Sequence, residues 1–144
     1  MFLKTSASGY DRHGQQFSRG KFLILFAHNE FTWAEQNGRD WSDFPAELKG
    51  KLYACVRHTS LHQLGHWMMG CARIADSSIT LSGCYGSDGL PCDYEKLSEK
   101  ARTKLIEVPA ELATKFWKSE AHNDAGNEGP AIRGWAKKAF REAL

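Results

Sequence analysis

Lys21-Phe22-Leu23-Ile24-Leu25-Phe26-Ala27 is the stretch on which the fold turns. From Phe22 the run is unbroken and apolar, with none of the polar and apolar alternation of a half-exposed strand. Its length suits a strand, and a strand apolar on both sides must be covered on both faces. It is far shorter than the roughly 20 residues that cross a bilayer, so no membrane partner is expected.

Toward the N-terminus, residues 4–20 (KTSASGYDRHGQQFSRG) are rich in Gly, Ser and Gln and read as an ordered loop or a flexible arm. Toward the C-terminus, Pro45 opens at most a short helical turn, and Leu52-Tyr53-Ala54-Cys55-Val56 reads as a second strand, near 51–57. Ser60 with Gln63 forms a capping box, which predicts a helix over 60–69 that ends at Gly70 and buries Leu61, Leu64 and Met68. Ala72-Arg73-Ile74 and Ser78-Ile79-Thr80-Leu81-Ser82 read as a hairpin with arms near 71–75 and 78–83. The glycine-rich segment Ser82 to Pro91 follows as turn chemistry.

The last fifty residues read as three helices. The first gathers Tyr94, Leu97, Ala101 and Leu105 and stops by Pro109. In the second, Leu112, Ala113, Phe116 and Trp117 face inward and Glu111 pairs with Lys115. The third puts Ile132, Trp135, Ala136, Ala139, Phe140 and Ala143 on one side and Arg133, Lys137, Lys138 and Arg141 on the other. The expected class is α+β, with a small, mainly antiparallel sheet, one internal helix and a C-terminal helical group. A single domain spans 1–144, with 1–20 as its loop or arm.

Composition agrees. The 144 residues are 42% hydrophobic and 25% charged, an ordinary globular mix, and a chain of this length can bury a core without a disulfide or a structural metal. The net charge of +2 excludes an acidic DNA mimic and argues against strong nucleic-acid binding. Cys55, Cys71, Cys84 and Cys92 contain no CxxC pair, and the N-terminus lacks an apolar signal core. Reduced thiols in a cytoplasmic protein are expected.

Chemistry concentrates between Arg57 and His66. His62 and His66 have the i, i+4 spacing that lets two imidazoles reach one zinc ion, with His58 a further four residues upstream. The metalloprotease motif nevertheless fails, because Gln63 stands where a glutamate must take a proton from metal-bound water. The plainer reading places these histidines, without metal, at the border between core and solvent. Arg57, His58, Thr59 and Ser60 also stand between the predicted strand and helix, where free N–H groups and the helix dipole attract a phosphate. Tyr85 and Asp88, in the glycine-rich segment, are candidates for the same ligand, although no complete nucleotide-binding motif is present.

Other signals are thinner. A nucleophile formed by Cys55 or Cys71 with His58 or His66 needs a proximity that sequence does not supply. Asp88 and Glu128 are better read as turn residues than as an acid and base pair. The strip Arg133, Lys137 and Arg141 is the solvated face of an amphipathic helix. Trp67 falls off the stripe of Leu61, Leu64 and Met68, so it either packs under another element or is the candidate anchor for a protein partner.

Arg57 to Gly70 (RHTSLHQLGHWMMG), continued through Ala72-Arg73-Ile74, Leu81-Ser82-Gly83 and Tyr85 to Pro91 (YGSDGLP), resembles small proteins carried by phages and plasmids. The resemblance covers about a quarter of the chain and brings no catalytic motif with it. It implies a setting in which small proteins inhibit host defence macromolecules. Since no acid, base and nucleophile set is complete, the expectation is a non-enzymatic binding protein with a host protein as partner. The alternative is a nucleotide or phosphate binder, with metal-assisted hydrolysis as its extension, built on Arg57 to His66.

Overall fold

The computed structural model describes residues 19–60, 71–73, 91–118 and 129–141. Strand β1 (Arg19–Ala27) lies at the centre of a mixed, mainly antiparallel sheet. Along one edge it pairs with β2 (Leu52–Ser60), in register from Ala27 opposite Leu52 to Arg19 opposite Ser60. Along its other edge it pairs antiparallel with β3 (Cys71–Arg73) and, at its C-terminal end, parallel with β4 (Cys92–Asp93). Strand β5 (Ile106–Glu107) continues the sheet beyond β2, opposite Tyr53 and Ala54.

The period of two along β1 divides the core. Leu23, Leu25 and Ala27 join Leu52 and Ala54 beneath α3 (Ala110–Lys118) and α4 (Gly129–Ala139), which contribute Ala113, Phe116, Ile132 and Ala136. Phe22, Ile24 and Phe26 face the other way, toward Cys92, Tyr53, Cys55, Tyr94, Leu97 and Leu105. Phe22 through Leu25 are wholly inaccessible, as expected of a strand covered on both faces. Each such large side chain contributes roughly 1.5 to 3 kcal/mol of burial.

Helix α1 (Glu30–Asn37), which the sequence reading passes over, follows β1 directly. Asn29 caps it by accepting from the N–H groups of Phe31 and Thr32. Gly38, at φ 60°, ends it in a left-handed turn in which Arg39 N–H donates to Ala34 O and Gly38 N–H to Glu35 O. Two short 3₁₀ turns, Trp41–Asp43 and Ala46–Leu48, lead to β2, so Pro45 does open only a turn.

Several expectations need correction. Strand β2 continues through Ser60 because β1 reaches back to Arg19 and offers each added residue a ladder partner. Arg57, His58, Thr59 and Ser60 are therefore strand residues, and Ser60 does not begin a helix; residues 61–69 of that predicted helix lie outside the described residues. The first hairpin arm is seen as β3, and the arm at 78–83 lies outside the described residues. The continuous helix expected over Tyr94 to Leu105 is instead a 3₁₀ turn (Tyr94–Lys96), the one-turn helix α2 (Glu99–Arg102) and β5. Leu97 is extended, and Ser98 restarts the helix by accepting from Ala101 N–H, a local bond that competes with helix continuation.

The later helices match their patterns more closely. Phe116 and Ala113 are buried, Leu112 and Trp117 partly so, and Lys115 Nζ lies 3.3 Å from Glu111 Oε1. On α4 Lys137 and Lys138 face solvent, as does Arg141 just beyond it, while Ile132 and Ala136 are buried, but Ala139 is exposed rather than inward-facing. No helix among the described residues is long and apolar enough to cross a membrane.

Candidate functional site

A hollow of about 410 Å³ lies between β2 and α2, reaching from the Phe26 face of the sheet to Val56 and Phe140. Strand periodicity brings Cys55 and Arg57 to this face, since Ile24 stands opposite Cys55 and Phe22 opposite Arg57. Phe26, Leu97, Ala101 and Leu105 supply apolar walls. Three cations line the hollow: Arg57 from β2, Lys96 from the 3₁₀ turn and Lys104 from the turn after α2.

These cations differ in availability. Lys96 Nζ lies 3.0 Å from Asp93 Oδ2, and that hydrogen bond and charge raise its pKa. Arg57 and Lys104 make no ion pair among the described residues. An apolar hollow with two uncommitted cations is complementary to an anion with an apolar body, and its volume is in the range of small-molecule sites. Cys55 adds no nucleophile: burial pushes its thiol up to about 11, only partly opposed by the Arg57 charge. At neutral pH it is a protonated, inert wall.

A second constellation stands at the C-terminal end of β1. His28 Nδ1 is 2.7 Å from Glu95 Oε1, and both side chains are more than nine-tenths buried. Asn29 N–H donates to Glu95 Oε2 at 2.9 Å, while Gln36 Nε2 and Arg102 donate to the Glu95 carbonyl, each at 2.8 Å. Both carboxylate oxygens therefore accept, and the imidazole proton belongs on Nδ1. The ring lies 4.3 Å from that of Tyr94 and meets Tyr53 edge-on at 5.6 Å. Burial, then the neighbouring Tyr94, Glu107 and Glu95, raise the Tyr53 pKa. Arg102 Nε is buried without a hydrogen-bond partner among the described residues, and the guanidinium sits 4.9 Å from the Tyr94 ring centre, a cation–π contact that offsets part of that loss.

Of the candidate residues singled out in the sequence, the structure brings Arg57 and Cys55 to the hollow. His58 is exposed, points to the opposite face from Arg57 as the next residue on the strand, and does not line the hollow. The same alternation puts Cys55 and His58 on opposite faces and rules out that thiol and base pair. Thr59 and Ser60 extend the strand. Tyr85, Asp88 and Glu128, the zinc candidates His62 and His66, and the interface candidate Trp67 lie outside the described residues. Among the described residues no group of three or more His, Cys, Asp and Glu side chains is placed to hold a metal.

Lys96, Lys104, His28 and Glu95 escaped sequence reasoning. No spacing links His28 to Glu95, which are 67 residues apart. No spacing links the lysines to Arg57 either, since they follow it by 39 and 47 residues. No protein-family model, curated protein or solved structure matches this chain.

Proposed function

We propose that this chain is a binding protein for a small anion with an apolar body, a nucleotide or related phosphate ester in class, seated in the hollow beside Arg57. The observation that carries this reading is the pairing of apolar walls with two cations, Arg57 and Lys104, that have no ion-pair partner among the described residues. The guanidinium provides a planar, bidentate donor for phosphate, Lys104 a second point charge, and the apolar walls a surface for a base or other flat body. Cys55, the thiol that borders the hollow, stays protonated and offers no nucleophile, and the reading is one of binding.

A thermal-shift and calorimetric panel of mononucleotides and cyclic dinucleotides tests it. At least one member should stabilise the protein, and Arg57→Ala should weaken that ligand about tenfold or more, as expected for loss of a charged hydrogen bond of roughly 1.5 to 3 kcal/mol. No binding by any member, or binding indifferent to Arg57→Ala, overturns the reading.

A protein-binding role, as an inhibitor of a host macromolecule, is the second reading, and the exposure of Phe31 (67%) and Trp41 (55%) favours it. Exposed aromatics are common anchors of protein interfaces. Affinity capture from host lysate should then yield a stoichiometric protein that is lost with Trp41→Ala; capture unchanged by that substitution removes this support.

A further inference from the structure

A separate hollow of about 340 Å³ opens where β1 ends, lined by His28, Glu30, Phe44, Lys49, Gly50 and Trp117. It is distinct from the Arg57 cavity and shares no lining residue with it. His28 is the buried polar group in its wall, with 9% of the side chain accessible. Glu95 takes up Nδ1, and Nε2 bonds to no described residue. In its neutral form an imidazole whose Nδ1 proton is held by a carboxylate keeps its lone pair on Nε2, which accepts hydrogen bonds and protons. Phe44 and Trp117 give the hollow aromatic walls. Glu30 and Lys49 neutralise each other across 3.5 Å, so the lining carries no strong net charge of its own.

We propose that this hollow binds a planar aromatic ligand carrying one acidic donor, an aryl hydroxyl in class, which hydrogen-bonds through its O–H to His28 Nε2. Glu95 acts as the positioning residue, fixing the tautomer and the ring plane. The aromatic walls select a flat ring, and the free imidazole nitrogen selects for the hydroxyl. Where the hydroxyl is acidic enough, its proton passes to Nε2: the O–H bond breaks, an N–H bond forms, and the resulting imidazolium and aryloxide remain as an ion pair beside the Glu95 carboxylate. No other reactant is needed.

The matched probes 4-nitrophenol and 4-nitroanisole, which differ by a methyl group in place of the acidic proton, test this on the full chain. The phenol should bind saturably and about tenfold or more tighter than the anisole, with its absorbance moving toward the phenolate band on binding. In His28→Phe, which keeps an aromatic ring in the wall, the preference and the spectral change should both vanish. Nitrogen-detected NMR of the unsubstituted protein gives an independent readout that does not depend on the variant folding. The ligand-free His28 should be the Nδ1–H tautomer, and its Nε2 resonance should shift on adding 4-nitrophenol. Equal affinity for the two probes, a preference that survives in His28→Phe, or an Nε2–H tautomer in the free protein would overturn the proposal.

Discussion

At the scale of single residues, Glu95 is the group most committed to its surroundings. Its side chain accepts from His28 Nδ1 and Asn29 N–H, and its carbonyl accepts from Gln36 and Arg102, so one residue ties the end of β1, α1, the 3₁₀ turn and α2 together. Glu95→Ala removes the carboxylate and leaves His28 and Asn29 N–H without their acceptor. The expected loss is about 2 to 5 kcal/mol by urea unfolding, the scale for leaving a buried ring N–H and a backbone N–H each without an acceptor. Cys55 makes a prediction in pH. A thiol held protonated in the fold adds stability that is complete below its unfolded value of 9.0 and is lost as pH climbs through about 11. Unfolding free energy should therefore fall across that window, by up to about 3 kcal/mol from this group. Tyr53 is shifted in the same direction, so Cys55→Ala compared with the parent protein isolates the thiol's share. What sequence could show at this scale was residue chemistry. Arg57 was legible as a candidate anion ligand from its type, whereas the Glu95 and His28 pair was invisible because the parallel pairing of β4 with β1 brings the two segments together.

At the scale of elements, local signals worked where they were undivided. The run from Phe22 to Ala27 could only be a strand covered on both faces, and the stripes of α3 and α4 repeat at helical spacing. They failed where two signals competed. Tyr94, Leu97, Ala101 and Leu105 do share a helical stripe, yet Ser98 caps a new turn inside it, and the cap prevailed over the periodicity. Helix α1 has the opposite history: its apolar residues form no clean stripe, but Asn29 before it and Gly38 after it are start and stop signals that could have located it. Gly38 gives that idea a measurable form. At φ 60° with no atom within 4 Å of a modest side chain, Gly38→Ala meets no steric obstacle beyond its own backbone. It should cost about 1 to 2 kcal/mol, the left-handed penalty alone, in chemical denaturation. A loss near zero would mean that the left-handed cap is not maintained in solution.

At the scale of the whole molecule, one buried strand with two differently covered faces explains where chemistry can reside. The face under α3 and α4 is packed with aliphatic and aromatic side chains. The other face is covered by short pieces, a 3₁₀ turn and α2, which leave the hollow beside Arg57 and bring Lys96 and Lys104 to its rim. A net charge of only +2 means that attraction for an anion depends on this local grouping and not on the field of the whole protein. Salt should weaken binding, because Arg57 and Lys104 are both exposed and their attraction for an anion is screened. The most direct measurement is a methyl-resolved NMR titration with the mononucleotide that stabilises the protein most. Binding in the proposed place should shift the methyl signals of Leu97, Ala101 and Leu105 together, and Arg57→Ala should abolish the shifts at the same ligand concentration. Shifts confined to other methyl groups, or shifts that persist in Arg57→Ala, would contradict it.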